Sequence, residues 1–518
     1  MINVFEAESK ALREDAAPWP SPCHAYVKSN PFIARDAKFG ETVSLPKPAR
    51  TAQLEKPMLQ RLAAFTGRFA TYGELRWHAN SAKQVAMRKG VLLENSQSRS
   101  TGVSARIFDN GLFGFAALAQ DDDDAILAAI AAAADNAGSV KASARRQGQL
   151  PAVSNIGVGN HDYRSALPPC SAADRVAILK TLDETIRAKY PELVNVDLTL
   201  ANHASEKALV TSEGARAYSY VPRAILAVNL SVEANDGIVE LRDAIGGLGE
   251  IQDQAFEPER LLAWIDNLHE ELRRKAEGGQ CEAGLQDVVL DSDLAGILAH
   301  EAIGHTCEAD LVLVGSVAGD HLGQLVASEK ITLGDYAGRG PDGKSSFAIH
   351  IDDEGTACSD VTIIDKGVLR NFLHNKQTAA ELGGEPAGNA RAFSFSDEPL
   401  VRMRNTAILA GDDKLADMIG AIERGYYLKR ATNGQADLTS EFMFGVNCGY
   451  EIRNGRLGRA IRDTTISGVA FDMLKTVTHV GDEFKWSGAG GWCGKKQPIA
   501  VGMGGPAIKC RVTIGGRG

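Results

Sequence analysis

Little in this sequence marks it for a membrane, a nucleic acid or an oxidising compartment. No uninterrupted apolar stretch is long enough to span a bilayer; Ala125 to Ala134 comes nearest, but it is short and follows an Asp run. Positive charge is not in excess: 56 Lys and Arg stand against 66 Asp and Glu, a formal net charge of −10. That argues against a nucleic-acid binder, which would normally carry a basic face. Cysteine is sparse, at positions 23, 170, 281, 307, 358, 448, 493 and 510 of 518, with no C-x-x-C. This spacing gives no disulfide framework and fits free thiols in a reducing compartment. Met1 to Glu8 lack the basic start and apolar run of a signal peptide. The expected location is cytoplasmic.

What is present suits an enzyme of several domains. Hydrophobic residues make up 44%, enough for sizeable cores. Seven of the 18 prolines fall between Pro18 and Pro57, so residues 1–65 read as a Pro-rich, loosely packed extension. Asp121 to Asp124 lead into an Ala-rich helix, where their charge suits the helix N-terminus. Ser171-Ala172-Ala173-Asp174 resembles a capping box, followed at helical spacing by Val176, Leu179, Leu182 and Ile186. Val194, Val196, Leu198 and Leu200 alternate like a strand with one buried face, Ile225 to Val232 reads as another strand, and Asn235-Asp236-Gly237 is a turn signal. Residues 66–285 therefore read as a mixed α/β domain with helices on one side of a sheet, closed near Glu277 to Gln280. Residues 286–518 read as β-rich: Ser346 to Ile351 alternates, and Asn454-Gly455 inside Tyr450–Leu457 suits a type I′ hairpin turn. The fold class is α+β.

His300-Glu301-Ala302-Ile303-Gly304-His305 is the stretch with the most chemistry. Two imidazoles and a carboxylate are the minimal kit for a divalent metal and an activated water. The familiar pattern is H-E-x-x-H, with both histidines on one face. Here the spacing is i, i+5, which on an ideal α-helix turns through roughly 140° and parts the rings. A π-bulge would bring them together, and Gly304 tolerates such a distortion; otherwise His305 is an ordinary helix residue. The helix is expected to start after Asp291 or Ser292. Leu294, Ile297 and Leu298 share a face with Glu301, an unfavourable place for a carboxylate without a compensating cation. Near the C-terminus, Gly490-Gly491-Trp492-Cys493-Gly494 offers a thiol in a glycine-dense loop. Cys307 reads as structural, and Cys358, Cys448 and Cys510 as buried small hydrophobes. His321, His350, His374 and His479 read as ordinary histidines, and Asp352-Asp353-Glu354 as a turn with a solvated acidic face.

These residues resemble the TldD/TldE (PmbA) family of metallopeptidases. The H-E-x-x-x-H motif and a distant C-terminal cysteine are shared with its active half. So are Gly102-Val103-Ser104-Ala105-Arg106, the following Asp109 to Ala116, Asp352-Asp353-Glu354-Gly355, Lys366 to Leu369 and Leu373-His374-Asn375. Pro399 to Thr406 is similar to the family's P-x-P-R-M-T-N-T, from which Val401 and Arg404 depart. The resemblance runs from about residue 66 to the end. It implies a zinc site of His300, His305 and Cys493, with Glu301 as the general base that activates the metal-bound water. Thiolate is a soft donor and favours zinc over magnesium or calcium.

The resemblance further implies a cytosolic homodimer, or a heterodimer with a TldE-like paralogue, that hydrolyses unfolded or extended peptides held by strand addition. Two other readings stay open: a biosynthetic metalloenzyme acting on one small peptide-like substrate, and a non-catalytic partner subunit. The intact His300, Glu301, His305 and Cys493 argue against the last.

Overall fold

The computed structural model describes residues 57–109, 111–139, 150, 155–344, 347–488 and 490–515. The reading of residues 1–56 as a loose extension lies outside them. Residues Pro57–Ala63 form a helix whose Leu59 and Leu62 are buried, so this end of the Pro-rich segment is packed.

The first sheet is built from β1 (Tyr72–Arg88), β2 (Val91–Asp109), β3 (Leu112–Leu118), β4 (Val158–Asp162), β5 (Asn195–Thr211), β6 (Arg216–Ala234) and β7 (Gly237–Leu248). Its order is β3-β2-β1-β5-β6-β4, with β7 also on β6. All pairs are antiparallel except β4 with β6. Alternate residues point to one face: Leu75 and Trp77 on β1, Val103 and Ala105 on β2, Leu198 and Leu200 on β5, Leu226 and Val228 on β6. Four helices cover that face. Pro57–Ala63 lies over β1, β5 and β6, Asp123–Ser139 over β2 and β3, Ala172–Lys189 over β1, β2 and β5, and Pro258–Ala276 over β6 and β7.

The helices form for local reasons. Asp122 accepts from the Ala125 amide ahead of the Ala-rich helix. Ser171 and Asp174 make the reciprocal capping box. In Pro258–Ala276, proline begins the first turn, while Leu261, Trp264, Ile265, Leu268 and Leu272 fall on one buried stripe. Each such side chain contributes about 1.5–3 kcal/mol by leaving water.

The opposite face of this sheet is polar, yet Glu74, Arg76, His78 and Arg106 are buried. The C-terminal half covers them. Arg106 donates to Glu354 at 2.6 Å and Arg76 to the Asp397 carbonyl at 2.6 Å, while Lys207 pairs with Asp353 at 2.7 Å. The solvated acidic turn expected at Asp352-Asp353-Glu354 is thus a correction: all three are buried. Glu354 and Asp353 are stabilised by cations from the first sheet, and Asp352 accepts from the amides of Glu354, Thr356 and Ala390.

The C-terminal half holds β8 (Gly284–Leu290), β9 (Leu333–Tyr336), β10 (Val361–Asp365), β11 (Val368–Leu369), β12 (Ala390–Arg391), β13 (Leu400–Val401), β14 (Asn405–Ile408), β15 (Arg424–Ala436), β16 (Glu441–Arg453), β17 (Arg456–Ile461), β18 (Thr464–Val469), β19 (His479–Val480), β20 (Lys485–Trp486), β21 (Gly491–Cys493), β22 (Ile499–Gly505) and β23 (Ile508–Gly515). One sheet runs β11-β10-β9-β14-β22-β20, with β21 on β22; β12 and β13 pair separately. In the other, β15, β8, β23, β18 and β16 pair in a closed ring, since β16 returns to β15, and β17 and β19 attach to it. Asn454 and Gly455 both have positive φ, at 49° and 72°, as the type I′ turn between β16 and β17 requires.

No strand forms over Phe347–Ile351, against the alternating pattern; only Ile351 makes an isolated bridge, to Ala357. The Asn405 side chain takes both main-chain groups of Phe347, which leaves them unavailable to a ladder. The segment from Ser292 to Gly304 packs against β14, β20 and β22 on one sheet and β15 and β16 on the other. Its backbone is therefore gripped on both sides.

Candidate metal centre

Asp291 starts the motif helix. Its side chain accepts from the Leu294 amide at 3.0 Å and from the Arg430 amide at 3.1 Å, so the N-terminus is capped and tied to β15. Ser292–Ile297 is α-helical, and Leu298–Gly304 widens into a π-helix. The His305 amide donates to the His300 carbonyl, a bond across five residues. That register corrects the angular mismatch of the i, i+5 spacing. The two imidazoles stand edge to face with centroids 5.2 Å apart.

The third donor arrives from far along the chain. Cys493, at the end of β21, places its sulfur 3.1 Å from His305 Nε2. One ligand atom each from His300, His305 and Cys493 lies within 4.8 Å of the others. Neither ring nitrogen of buried His300 has a hydrogen-bond partner among the described residues. A buried imidazole without partners is costly unless something else satisfies it. Two imidazoles and a thiol are donors suited to zinc, so the residues fit that ion.

The electrostatics point the same way. Burial opposes ionisation of Cys493, but the charges of His305 and then His300 outweigh it and hold the thiol well below its ordinary range. Thiolate is the form that ligates metal. Burial likewise opposes charge on His305, and Cys493 and Glu308 override it, raising its pKa.

Glu301 points into a cavity of about 530 Å³ that is also lined by His300, His305, Trp492 and Lys495. Its carboxylate lies 3.7 Å from His305 Nε2 and stays 21% exposed. Burial pushes its pKa up, against the charges of His300 and His305. A carboxylate with a raised pKa is a better proton acceptor.

Glu308 has no counterpart in the motif reading. Fully buried, it accepts from His305 Nδ1 at 2.8 Å, which fixes the ring and leaves Nε2 as the donor atom. Burial would raise its pKa, but His305 and then Lys495 hold it down at about 2. Lys495 also bonds Asp310 at 2.7 Å and the Val401 carbonyl at 2.9 Å. Arg402 clamps the cysteine loop by donating to the carbonyls of Cys493 and Gln497, both at 2.8 Å. The available signal was Glu308 at i+3 from His305, a spacing that brings side chains together on a helical turn.

The remaining candidates stay apart from this centre. Cys307 is buried, and burial lifts its thiol to about 12. Cys448 and Cys510 are buried as expected, whereas Cys358 is only half-buried. His321 and His479 bond to a neighbouring carbonyl and hydroxyl, His350 bonds to Tyr163, and His374 is buried beside Thr378. Among the described residues, Asp352 to Glu354 form no cluster able to hold a metal.

The sequence matches family models described as PmbA/TldA metallopeptidase over three successive segments: domain 1 at residues 73–137, the central domain at 166–278 and the C-terminal domain at 283–516. The chain belongs to the TldD/PmbA metallopeptidase family. A metalloprotease of Methanothermobacter thermautotrophicus is 30% identical over 452 residues, 86% of this chain and 95% of that one. A protein of Saccharolobus solfataricus described as a zinc metalloprotease TldD homolog is 29% identical over 346 residues, 66% of this chain and 76% of its own length. In fold, the chain is similar to TldE from Thermococcus kodakarensis, with a TM-score of 0.68 at 16% identity, covering 88% of this chain and 99% of that one.

Within this family pattern, the departure at Arg404 has a structural account. Its buried guanidinium bonds Asp335 at 2.8 Å and the carbonyls of Ala387 and Ser359 at 2.8 Å each. Val401 is buried where β13 pairs β12.

Proposed function

We propose that this TldD/PmbA family member is a zinc peptidase acting on unfolded or extended peptides. The observation that carries the proposal is the convergence of one donor atom each from His300, His305 and Cys493 to within 4.8 Å, beside the Glu301 carboxylate. A zinc ion bound by these three residues would supply Lewis acidity and lower a water's pKa from 15.7 towards about 7. Glu301 takes a proton from the attacking water and returns it to the leaving amine. Its raised pKa and its place in the cleft support that role. Glu308 orients His305, and Arg402 sets the cysteine loop.

Binding of extended chains is supported by β15. This strand pairs with β8 only from Gly425 to Leu428, and its continuation, Thr432 to Ala436, lines the cleft. A peptide laid there gains main-chain hydrogen bonds with little sequence demand. The similarity in fold to a TldE supports assembly as a homodimer or with a TldE-like paralogue. We divide the chain into the extension 1–65, an α/β domain 66–285 and a catalytic domain 286–518. The break between matched segments at residues 278 and 283 supports the boundary near 285, while the separate matches at 73–137 and 166–278 divide the α/β portion into two models. A cytoplasmic location fits the free cysteines; among the described residues none is paired, and no helix is long and apolar enough to cross a membrane.

The test is cleavage of an unstructured peptide library by zinc-loaded protein. Wild type should cut it, and Glu301→Gln should lose about 10²–10⁴-fold in rate while keeping its zinc. Equal rates in the two proteins would remove Glu301 from the chemistry.

A further inference from the structure

A second cavity, of about 370 Å³, lies between the polar face of the first sheet and the C-terminal half. That volume falls in the ~300–1,000 Å³ range of small-ligand pockets. Trp492 is a wall of both this cavity and the metal-site cleft, and it directly precedes Cys493. The other apolar walls include Leu209, Val221, Phe347, Phe393 and Ile499. The Phe393 and Trp492 rings meet edge to face at 6.0 Å, and His203 meets Trp492 at 5.4 Å.

Charged groups border the cavity, and the buried ones are engaged with each other or with backbone: Arg223 donates to the Gly491 carbonyl at 3.4 Å, while Arg99 is exposed. Lys207 pairs with Asp353 at 2.7 Å, and Asp352 accepts from three backbone amides. Arg391 donates to the carbonyls of Met403 and Ala500. Burial, and then the charge of Arg223, lower the pKa of His203 to about 4, so its ring is neutral. The space is therefore apolar in effect, with aromatic edges. The buried indole N–H of Trp492 has no acceptor among the described residues.

We propose that this cavity is the side-chain pocket by which the chain selects its substrate. It takes one large apolar side chain, aromatic or branched aliphatic, from a peptide whose backbone runs through the metal-site cleft. An extended chain advances ~3.3 Å per residue. A side chain entering beside Trp492 therefore belongs to a residue a few positions from the cleaved bond. The proposal rests on the peptidase reading and gives it a substrate class.

The test fills the cavity from the first sheet. Ala217 and Val221 line it on β6, on the sheet face that carries Leu209 and Lys207, and neither lies among the metal-binding residues. Ala217→Phe and Val221→Trp are two independent fillings, each checked for unchanged circular dichroism and zinc content. Cleavage sites in a mixed peptide library are then read by mass spectrometry. Wild type should favour a large apolar residue at one fixed distance from the cut by ~10-fold or more over glycine. Both filled variants should lose that preference while still cutting peptides with glycine there. In parallel, N-acetyl-phenylalaninamide should bind Glu301→Gln saturably by calorimetry, and at least ~10-fold more weakly once Val221→Trp is added.

An unchanged cleavage profile in both filled variants overturns the pocket and leaves the peptidase reading standing. Probe binding that is absent, or indifferent to filling, also overturns it. A zinc-loaded wild type that cuts no peptide, yet binds the probe through the cavity, overturns the peptidase reading and keeps the apolar pocket.

Discussion

At the scale of single residues, the centre depends on side chains that carry no motif. Glu308 contacts no proposed substrate, but it holds His305 by Nδ1. Glu308→Gln should weaken zinc affinity by about 10–100-fold, the usual effect of removing such an outer partner; competition titration with a chromophoric chelator reads it. Arg404 makes the opposite kind of contribution, to stability alone. It pairs with Asp335 where both are fully buried. Arg404→Thr, which restores the family's residue type, leaves that carboxylate uncompensated. The expected cost is about 3–5 kcal/mol, measured by chemical denaturation, with zinc content retained in the folded fraction. The two candidate histidine ligands were legible because they sit together in one hexapeptide. Cys493 needed the family resemblance, since a glycine-dense loop sets it apart from Cys448 and Cys510 but does not by itself make a thiol a ligand. Asp352 to Glu354 misled because three acidic residues before a glycine look the same in sequence whether water or buried arginines and lysines face them.

At the scale of the element, the decisive feature is the π-helical turn. The i, i+5 spacing is incompatible with a straight α-helix, and the widened turn reconciles it. Gly304 makes room for it: a Cβ there would fall 1.9 Å from the Met403 sulfur. Gly304→Ala should therefore destabilise by about 1–3 kcal/mol through overpacking and lower zinc retention. Met403→Ala in the same chain should relieve the clash, so the double variant should lose less stability and zinc than the sum of the two single losses, and thermal denaturation with metal analysis of the single and double variants checks this. Caps and hairpins were readable for the same reason as the turn: Ser171 with Asp174 and Asn454-Gly455 act within a few residues. The Phe347–Ile351 strand failed because Asn405, distant in sequence, takes its backbone groups.

At the scale of the whole molecule, the two halves are joined by buried charge rather than by apolar contact alone. Glu271, on the helix Pro258–Ala276, pairs with Lys429 and Arg430 of β15, and Arg430 also bonds Asp243 of β7 at 2.7 Å. Burial pushes the Glu271 carboxyl up, but Arg430 and then Lys429 prevail and hold it at about 2. Its folded pKa thus lies below the unfolded value of about 4.3. The pair's stabilisation is full above that value and is lost as pH falls towards 2, up to about 3 kcal/mol. Acid unfolding should steepen across this window in wild type and flatten in Glu271→Gln. None of these long-range pairs was visible in the sequence, because charge partners separated by more than a hundred residues leave no periodicity. The α+β class, by contrast, follows from patterns within single elements. The central claim, a zinc centre of two histidines and one cysteine, is tested most directly by elemental mass spectrometry on purified protein. The account predicts about one zinc per chain in wild type and in Glu301→Gln, and loss in His305→Ala and Cys493→Ala. Wild type that purifies without metal and cannot be reconstituted, or Cys493→Ala that retains full zinc, would contradict it.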